Sequence, residues 1–172
     1  DIWQRVIDVN MWSVINGSRI FAPGMIAHGQ TALIINTGSK QGITTPQGEP
    51  AYNVTKAGVI SLSETLAAEL AGTGIGIACA MPGFFRTHLL DHMRAPPEEN
   101  RLAHRIMESS GHDPDEAALA LLAAVAAGEL HVVWPPEYRW AWRLKRWFPR
   151  WFLKRVQSFR DAQARKAGRP PG

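Results

Sequence analysis

The sequence predicts an α/β fold in which about three parallel strands alternate with crossover helices. Three short apolar runs, at residues 31–36, 75–81 and 130–134, show no polar alternation, as expected for strands buried on both faces. Longer segments with apolar residues at helical spacing precede and separate these runs. Because parallel strands require crossover connections, this order favours a single parallel sheet covered by helices.

The first predicted helix covers residues 2 to about 27, where apolar side chains recur at helical spacing. Gly17 and Pro23 weaken the middle and the end of this helix. A turn at residues 28–30 leads into the first strand. Residues 37–50, which are rich in Gly, Pro, Thr and Ser, predict a loop after that strand.

The later helices have clearer ends. A second helix is predicted over residues 51 to about 71, before the glycines that stop it. Residues 84–110 are mostly polar and predict short helices. A third long helix begins with Asp113 as its N-cap and Pro114 in its first turn, and it runs to about residue 127.

The positive charge of the chain is concentrated near its end. The 172 residues carry a formal net charge of +4, and the pI is about 9.6. Residues 139–172 hold eleven Lys and Arg against one acid, Asp161, so the rest of the chain is net acidic. We therefore separate residues 136–172, a basic Trp-rich helical extension interrupted at Pro149 and ending in disorder, from residues 1–135.

Three roles are open for this extension. It can pack its Trp face on its own domain or on a sister subunit, with a solvated basic face. Its aromatic and basic residues over 137–160 also suit peripheral contact with a membrane surface. Nucleic acid is the least favoured partner, because the charge lies on the tail alone.

The composition limits which cellular compartment and which metal chemistry we expect for this chain. Cys79 is the only cysteine, which excludes an intrachain disulfide and suits a reducing compartment. The sequence has neither an apolar run of 18 or more residues nor a signal peptide. We interpret His88 as a surface or pocket-rim histidine, and we expect no metal site. A cytoplasmic protein, with membrane association left open, is expected.

Tyr52 and Lys56 stand four residues apart on one predicted helix, so their side chains share a face. The helix N-terminus and the ammonium should both lower the pKa of the phenol towards working pH. A phenol tuned in this way can exchange a proton with an alcohol or alkoxide. Ser39, at the end of the neighbouring strand, could hydrogen-bond the same oxygen. Taken alone, such a pair is more often part of an ordinary helix surface, because this spacing is common by chance.

Four short motifs resemble the short-chain dehydrogenase/reductase family in order and spacing. They are residues 8–12 (Asp-Val-Asn-Met-Trp), 36–42 (Asn-Thr-Gly-Ser-Lys-Gln-Gly), 52–58 (Tyr-Asn-Val-Thr-Lys-Ala-Gly) and 82–87 (Pro-Gly-Phe-Phe-Arg-Thr). The resemblance covers roughly residues 1–135. It implies that they form the C-terminal half of a Rossmann-type doubly wound parallel sheet, as a partial catalytic domain.

The resemblance also implies roles for individual residues in an NAD(P)-dependent hydride transfer between a carbonyl and an alcohol. The implied catalytic residues are Asn10, which would hold a water in a proton relay, Ser39, Tyr52 and Lys56. Contacts with NAD or NADP, whose choice stays open, are implied for Tyr52, Lys56, Pro82, Gly83, Phe85 and Thr87. The implied substrate pocket contains Gln41, Ile43, Phe84 and His88, a mostly apolar set that suits a moderately hydrophobic carbonyl or secondary alcohol.

The same resemblance also implies that several copies of the chain assemble. The chain should form a homodimer or homotetramer through the helices at 2–27 and 51–71. The alternatives to an enzyme are a non-catalytic scaffold of the same fold and a membrane-surface module built on the extension. The presence of all four catalytic positions disfavours the scaffold, and the module explains only residues 137–172.

The sequence lacks the glycine-rich strand–turn–helix on which such folds bind the cofactor pyrophosphate. We therefore expect that the N-terminal cofactor-binding half is missing and that this fragment is inactive alone. When NADH or NADPH is titrated into the purified 172-residue chain, fluorescence should show no binding in the micromolar range. Micromolar affinity for either dinucleotide would contradict this expectation.

Overall fold

The computed structural model describes residues 1–85, 104, 107 and 110–166, and it confirms the α/β fold. The short helices expected over residues 84–110 fall mostly outside the described residues, as does the chain end at 168–172. In chain order the elements are α1 (Ile2–Ile7), a π-helical segment (Asp8–Trp12), α2 (Ser13–His28), β1 (Ala32–Thr37), α3 (Lys40–Thr44), α4 (Pro50–Glu69), β2 (Ile75–Pro82), α5 (Pro114–Ala126), β3 (His131–Trp134), α6 (Glu137–Trp147) and α7 (Pro149–Lys166).

The three described strands form one parallel sheet in the order β1-β2-β3. Thr37 pairs with Ala80 near the end of β1, and Pro82 pairs with Trp134 at the end of β2 and β3. The carboxyl ends of all three strands therefore meet at one edge of the sheet. Residues that follow the strands at this edge are the ones placed to form a site.

The two faces of the sheet are covered by different helices. On one face, Ile77 packs with residues of α2 and α4, and Met81 packs with Val59 of α4. On the other face, Ala78 and Val132 pack against α5. Because β2 alternates between these two apolar layers, its residues form the continuous apolar run seen in the sequence. Among the described helices, none is both long enough and apolar enough to span a bilayer.

The expectation of a loop over residues 37–50 was wrong for residues 40–44, which form helix α3. Ser39 is the N-cap of this helix, and its hydroxyl oxygen accepts a hydrogen bond from the backbone nitrogen of Gln41 at 3.1 Å. Thr45 then ends the helix in the left-handed conformation. A helix of five residues is too short to show apolar periodicity, so composition alone suggested a loop.

The first helical region is continuous but irregular. The backbone hydrogen bonds of the helix change to the π-helical pattern over Asp8–Trp12, an irregularity that the sequence pattern did not indicate. Pro23 was expected to weaken the helix end, yet α2 continues past it to His28. The carbonyl that loses its donor to Pro23 is that of Arg19, an exposed residue whose carbonyl solvent can satisfy.

A close approach between α3 and α4 fixes the position of the site. A Cβ atom on Gly42 would lie 2.7 Å from the carbonyl carbon of Lys56 and 2.9 Å from the nitrogen of Ala57. Both are backbone atoms, so the contact cannot be relieved by a change of rotamer. Gly42 therefore lets the helix after β1 lie directly against α4.

Replacing Gly42 by Ala should push α3 away from α4 and lower the free energy of unfolding by about 1–3 kcal/mol, as overpacking does elsewhere. Gly17→Ala in α2 is the matched control, because a Cβ there meets no atom within 4 Å. It should raise the free energy of unfolding by about 0.5–1 kcal/mol through helix propensity. Urea unfolding followed by circular dichroism measures both, and equal effects of the two changes would contradict the close approach.

Candidate active site

Ser39, Tyr52 and Lys56 come together at the carboxyl edge of the sheet. Ser39 follows the end of β1, while Tyr52 and Lys56 lie in the first two turns of α4. The Ser39 side chain lies close enough to the Tyr52 phenol to lower the pKa of that phenol. The Lys56 ammonium donates to the carbonyl oxygen of Thr37, the last residue of β1, at 2.9 Å. These contacts join the strand end to α4 and place three polar groups within one small region.

The Ser39 side chain is held in place from two sides. Its backbone is extended, with φ −167° and ψ 154°, and its hydroxyl caps α3 through the bond from Gln41. The residue is buried, and its hydroxyl also lies close enough to Tyr52 to lower the pKa of the phenol. A hydroxyl can donate one hydrogen bond while it accepts others, so both contacts can coexist. The cap thus fixes the direction of a hydroxyl that faces the phenol.

The lowering of the Tyr52 pKa expected from the sequence was wrong for the chain as described. Burial raises the pKa of Tyr52 above its usual 10.0, and the charge of Glu49 raises it further, while the Ser39 hydrogen bond lowers it. The Lys56 nitrogen lies 5.6 Å from the centre of the Tyr52 ring and donates to Thr37. Desolvation of the phenolate therefore outweighs the help from its neighbours, and Tyr52 is a neutral phenol near pH 7.

Lys56 is also nine-tenths buried, with a side chain that is only 9% exposed. Burial lowers its pKa, and the neighbouring Cys79 acts in the opposite direction. An ammonium carries three N–H donors, and Thr37 accepts one of them. The remaining donors are available to groups that enter the cleft beside Lys56.

That cleft has a volume of about 500 Å³ and lies between α2, the π-helical segment and β1. Lys56, Thr37 and Asn36 line it from the strand side, and Asn10 lines it from the centre of the π-helical segment. Asn10 and Lys56 therefore border the same open space, although they are 46 positions apart in the sequence. The volume is ample for water molecules between the amide and the ammonium.

The residues after β2 stand beside the same edge. The Gly83 backbone nitrogen donates to the carbonyl oxygen of Trp134 at 2.6 Å. A Cβ on Gly83 would lie 2.7 Å from a ring carbon of Tyr138, so any other residue there would have to displace that ring. Phe85 makes an edge-on contact with Trp134, with 5.9 Å between ring centres. Pro82 ends β2, so Pro82 and Gly83 are at the strand end where the family resemblance implies cofactor contact.

The four residues assigned to the substrate pocket have different surroundings. Gln41 is buried, and its Oε1 atom has no hydrogen-bond partner among the described residues. Phe84 lies under the Lys40 ammonium, 4.0 Å from ring centre to nitrogen. Ile43 packs in the core with Val59, so its side chain supports the site from behind rather than facing a substrate. His88, like the cofactor-contact candidate Thr87, lies outside the described residues.

Lys40 and Tyr138 form a contact near the strand ends that the sequence analysis did not single out. The Lys40 nitrogen donates to the Tyr138 hydroxyl at 2.9 Å and lies 4.2 Å from the centre of the Tyr138 ring. Burial lowers the Lys40 pKa to about 8. The signal in the sequence was the spacing of Tyr138, Trp142 and Lys145 on one side of α6, which places this helix against the body of the chain.

The fold and the site together define a class of protein. It consists of α/β domains that hold Ser, Tyr and Lys side chains at the carboxyl edge of a parallel sheet. The short chain dehydrogenase family model matches residues 1–98, and the chain belongs to that family. The 3-oxoacyl-(acyl-carrier-protein) reductase FabG of Thermotoga maritima is 34% identical over 120 residues, which are 70% of this chain and 48% of that protein. The chain spans about half the length of the curated relatives it matches.

Solved structures show the same fold. A short chain dehydrogenase/reductase from Burkholderia phymatum in complex with NAD superposes with a TM-score of 0.76 and 26% identity, covering 99% of this chain and 60% of that one. A short-chain dehydrogenase from Sphingobium yanoikuyae in complex with NADPH gives a TM-score of 0.66 and 26% identity, covering 80% of this chain and 51% of that one.

The low pKa of Lys40 can be measured directly. In a protein sample whose lysines carry 13C-labelled methyl groups, one lysine resonance should titrate with a midpoint near pH 8, because burial penalises the Lys40 ammonium. The Lys40→Arg variant should lack that resonance. Between about pH 8 and 10.5 the Lys40 amine holds its proton in the unfolded state but has lost it in the folded state. The contribution of Lys40 to the free energy of unfolding should therefore rise with pH over that window. A midpoint above pH 10 for the resonance lost in Lys40→Arg would contradict the burial of this amine.

Proposed function

We propose that this chain carries the catalytic residues of an NAD(P)-dependent oxidoreductase that interconverts a carbonyl and an alcohol by hydride transfer. The observation that carries the proposal is the placement of the Ser39 hydroxyl, the Tyr52 phenol and the Lys56 ammonium together at the carboxyl edge of the sheet, with Lys56 one helical turn from Tyr52 and bonded to Thr37. The family supports it, because its members include a named reductase and structures that hold NAD or NADPH.

Tyr52 is the proposed general acid or base. Its raised pKa keeps the phenol protonated near neutral pH, which suits donation of a proton to an oxygen that gains negative charge. Ser39 is proposed to hold the same oxygen by a hydrogen bond, since its hydroxyl already faces the phenol. In the reverse direction the phenolate would accept the proton of the alcohol.

The residues present fit the nicotinamide-ribose end of a dinucleotide. Lys56 is a buried ammonium with donors to spare beside the Tyr52 phenol, an arrangement suited to ribose hydroxyls. The bound nicotinamide would supply or accept the hydride. Pro82 and Gly83 are proposed to present backbone to it, and Asn10 is proposed to hold water in the cleft that it shares with Lys56. No glycine-rich turn in the sequence matches the pyrophosphate end, so the assignment stops at the ribose.

The proposed substrate is a moderately hydrophobic ketone or secondary alcohol. Phe84 supplies an apolar wall near the strand ends, and Gln41 supplies an amide oxygen without a partner among the described side chains. A buried amide oxygen of this kind favours a substrate with one further hydrogen-bond donor. Assembly into a homodimer or homotetramer through the helices at 2–27 and 51–71 is also proposed, since Trp3 and Trp12 of the first helical region are partly exposed.

A non-catalytic scaffold is the second candidate. Burial shifts the pKa of both Tyr52 and Lys56 against their charged forms, so holding them together costs stability. A protein that only binds partners gains nothing from this cost, whereas an enzyme requires such groups at its site. The buried pair therefore favours the enzyme.

Replacing Tyr52 by Phe distinguishes the two candidates. The test protein is a chimera in which the cofactor-binding half of the Thermotoga maritima reductase precedes Asp1. Removal of the phenolic hydroxyl should lower kcat for ketone reduction by about 10²–10⁴-fold, because the proton donor is lost. Binding of NADH or NADPH to the chimera, measured by fluorescence, should stay within a few-fold of the unsubstituted value.

Tyr138→Phe is the matched control, since Tyr138 is the only other tyrosine of the chain. It removes a hydroxyl that bonds Lys40 rather than Ser39, so kcat should change less than tenfold. Equal turnover by the Tyr52→Phe and Tyr138→Phe chimeras would contradict the proposed role of Tyr52.

A further inference from the structure

Helix α6 has two unlike apolar sides. Its inner side faces the body of the chain through Trp142, which packs on the core, and Lys145, which donates to the carbonyl oxygen of Ile43 at 2.8 Å. On its outer side Trp140 and Trp147 are 66% and 78% exposed. Packing of α6 on its own domain therefore accounts for one tryptophan and leaves the others in solvent.

Exposed apolar residues are present on both α6 and α7. Trp140, Leu144 and Trp147 are spaced by four and three residues, so they form one ridge along α6. In α7 the side chain of Phe152 is buried while its neighbours remain exposed. We name the exposed set the aromatic ridge, and its members are Trp140, Leu144, Trp147, Phe148, Trp151 and Leu153.

Exposed cations surround the aromatic ridge. Over residues 137–158 the sequence has seven Lys and Arg and one acid, Glu137. Two of the seven have partners in the body of the chain, Arg139 with Glu129 and Lys145 with Ile43. The other five are exposed on α6 and α7, namely Arg143, Arg146, Arg150, Lys154 and Arg155. Arg143 also lies over the Trp140 ring, 5.3 Å from its centre.

We propose that the aromatic ridge docks α6 and α7 on the surface of an anionic lipid bilayer. Tryptophan is favoured at the boundary between headgroups and acyl chains, because its ring is apolar and its N–H needs a polar partner. Leu and Phe add apolar area at the same depth, while the long arginine and lysine side chains reach anionic headgroups. The ridge and its cations thus match both layers of such an interface.

Other occupants fit the ridge less well. A second copy that presented the same surface would bring two groups of five cations together, and like charges across an interface are unfavourable. A nucleic acid would engage the cations and stack on tryptophan, yet Leu144 and Leu153 offer it no stacking surface. A bilayer engages the aliphatic, aromatic and cationic members together. The proposal is independent of the oxidoreductase function, so either can fail without the other.

The test is flotation of the full chain with vesicles of phosphatidylcholine alone or with about 30% phosphatidylglycerol, at an ionic strength of about 0.15 M. Binding to the anionic vesicles should be at least about tenfold tighter than to the neutral ones, and it should weaken at high salt. Trp140→Ser combined with Trp147→Ser should lower the anionic affinity by about tenfold or more. Charge reversal by Arg143→Glu with Arg150→Glu should do the same.

Leu119→Ser with Leu122→Ser is the matched control. These residues on α5 are 70% and 57% exposed, so the double variant removes exposed apolar area away from the ridge. Its lipid binding should stay within twofold of the original, and unchanged circular dichroism shows that each variant is folded. Absence of binding to the anionic vesicles, or equal binding by the ridge and control variants, would overturn the proposal. The proposal would also be overturned if the chain left vesicles unbound and instead formed a dimer or a nucleic-acid complex that depends on the aromatic ridge.

Discussion

The site depends on the hydrogen bond from the Lys56 ammonium to the carbonyl oxygen of Thr37, which ties α4 to the end of β1. The bond places a cation beside a strand end, where Ser39 begins the next helix. It also sets the face of α4 that looks onto the cleft, and Tyr52 lies one turn earlier on that face. Gly42 makes the arrangement possible, because any side chain there would separate α3 from the backbone of α4.

Burial has opposite consequences for the two main groups of the site. It raises the pKa of Tyr52 and lowers that of Lys56, so both favour their neutral forms more than they would in water. Ser39 partly offsets this effect for Tyr52 through its hydrogen bond. The proposed chemistry therefore depends on a balance between desolvation, which keeps the phenol protonated, and a hydroxyl that favours its anion.

Sequence reasoning succeeded where a pattern is long or a cap is specific, and it failed where geometry decides. The strands, α4 and the Asp113 cap of α5 followed from apolar runs and capping chemistry. Five-residue α3 and the π-helical segment left no periodic signal. The direction of the Tyr52 pKa shift was missed because the depth of burial cannot be read from spacing. The Lys40–Tyr138 contact joins residues 98 positions apart, so the spacing on α6 indicates that this helix packs inward but does not identify the partner of Tyr138.

The pKa of Tyr52 measured with and without the Ser39 hydroxyl tests the central claim most directly. With 13C-labelled tyrosine, NMR can follow Tyr52 and Tyr138 separately, since the chain has two tyrosines. Tyr52 should titrate above its usual 10.0, and Ser39→Ala should raise its pKa further, because the hydrogen bond that lowers it is lost. Tyr138 should not respond. A Tyr52 pKa that Ser39→Ala leaves unchanged would show that the two hydroxyls do not meet, and it would contradict the assembled site.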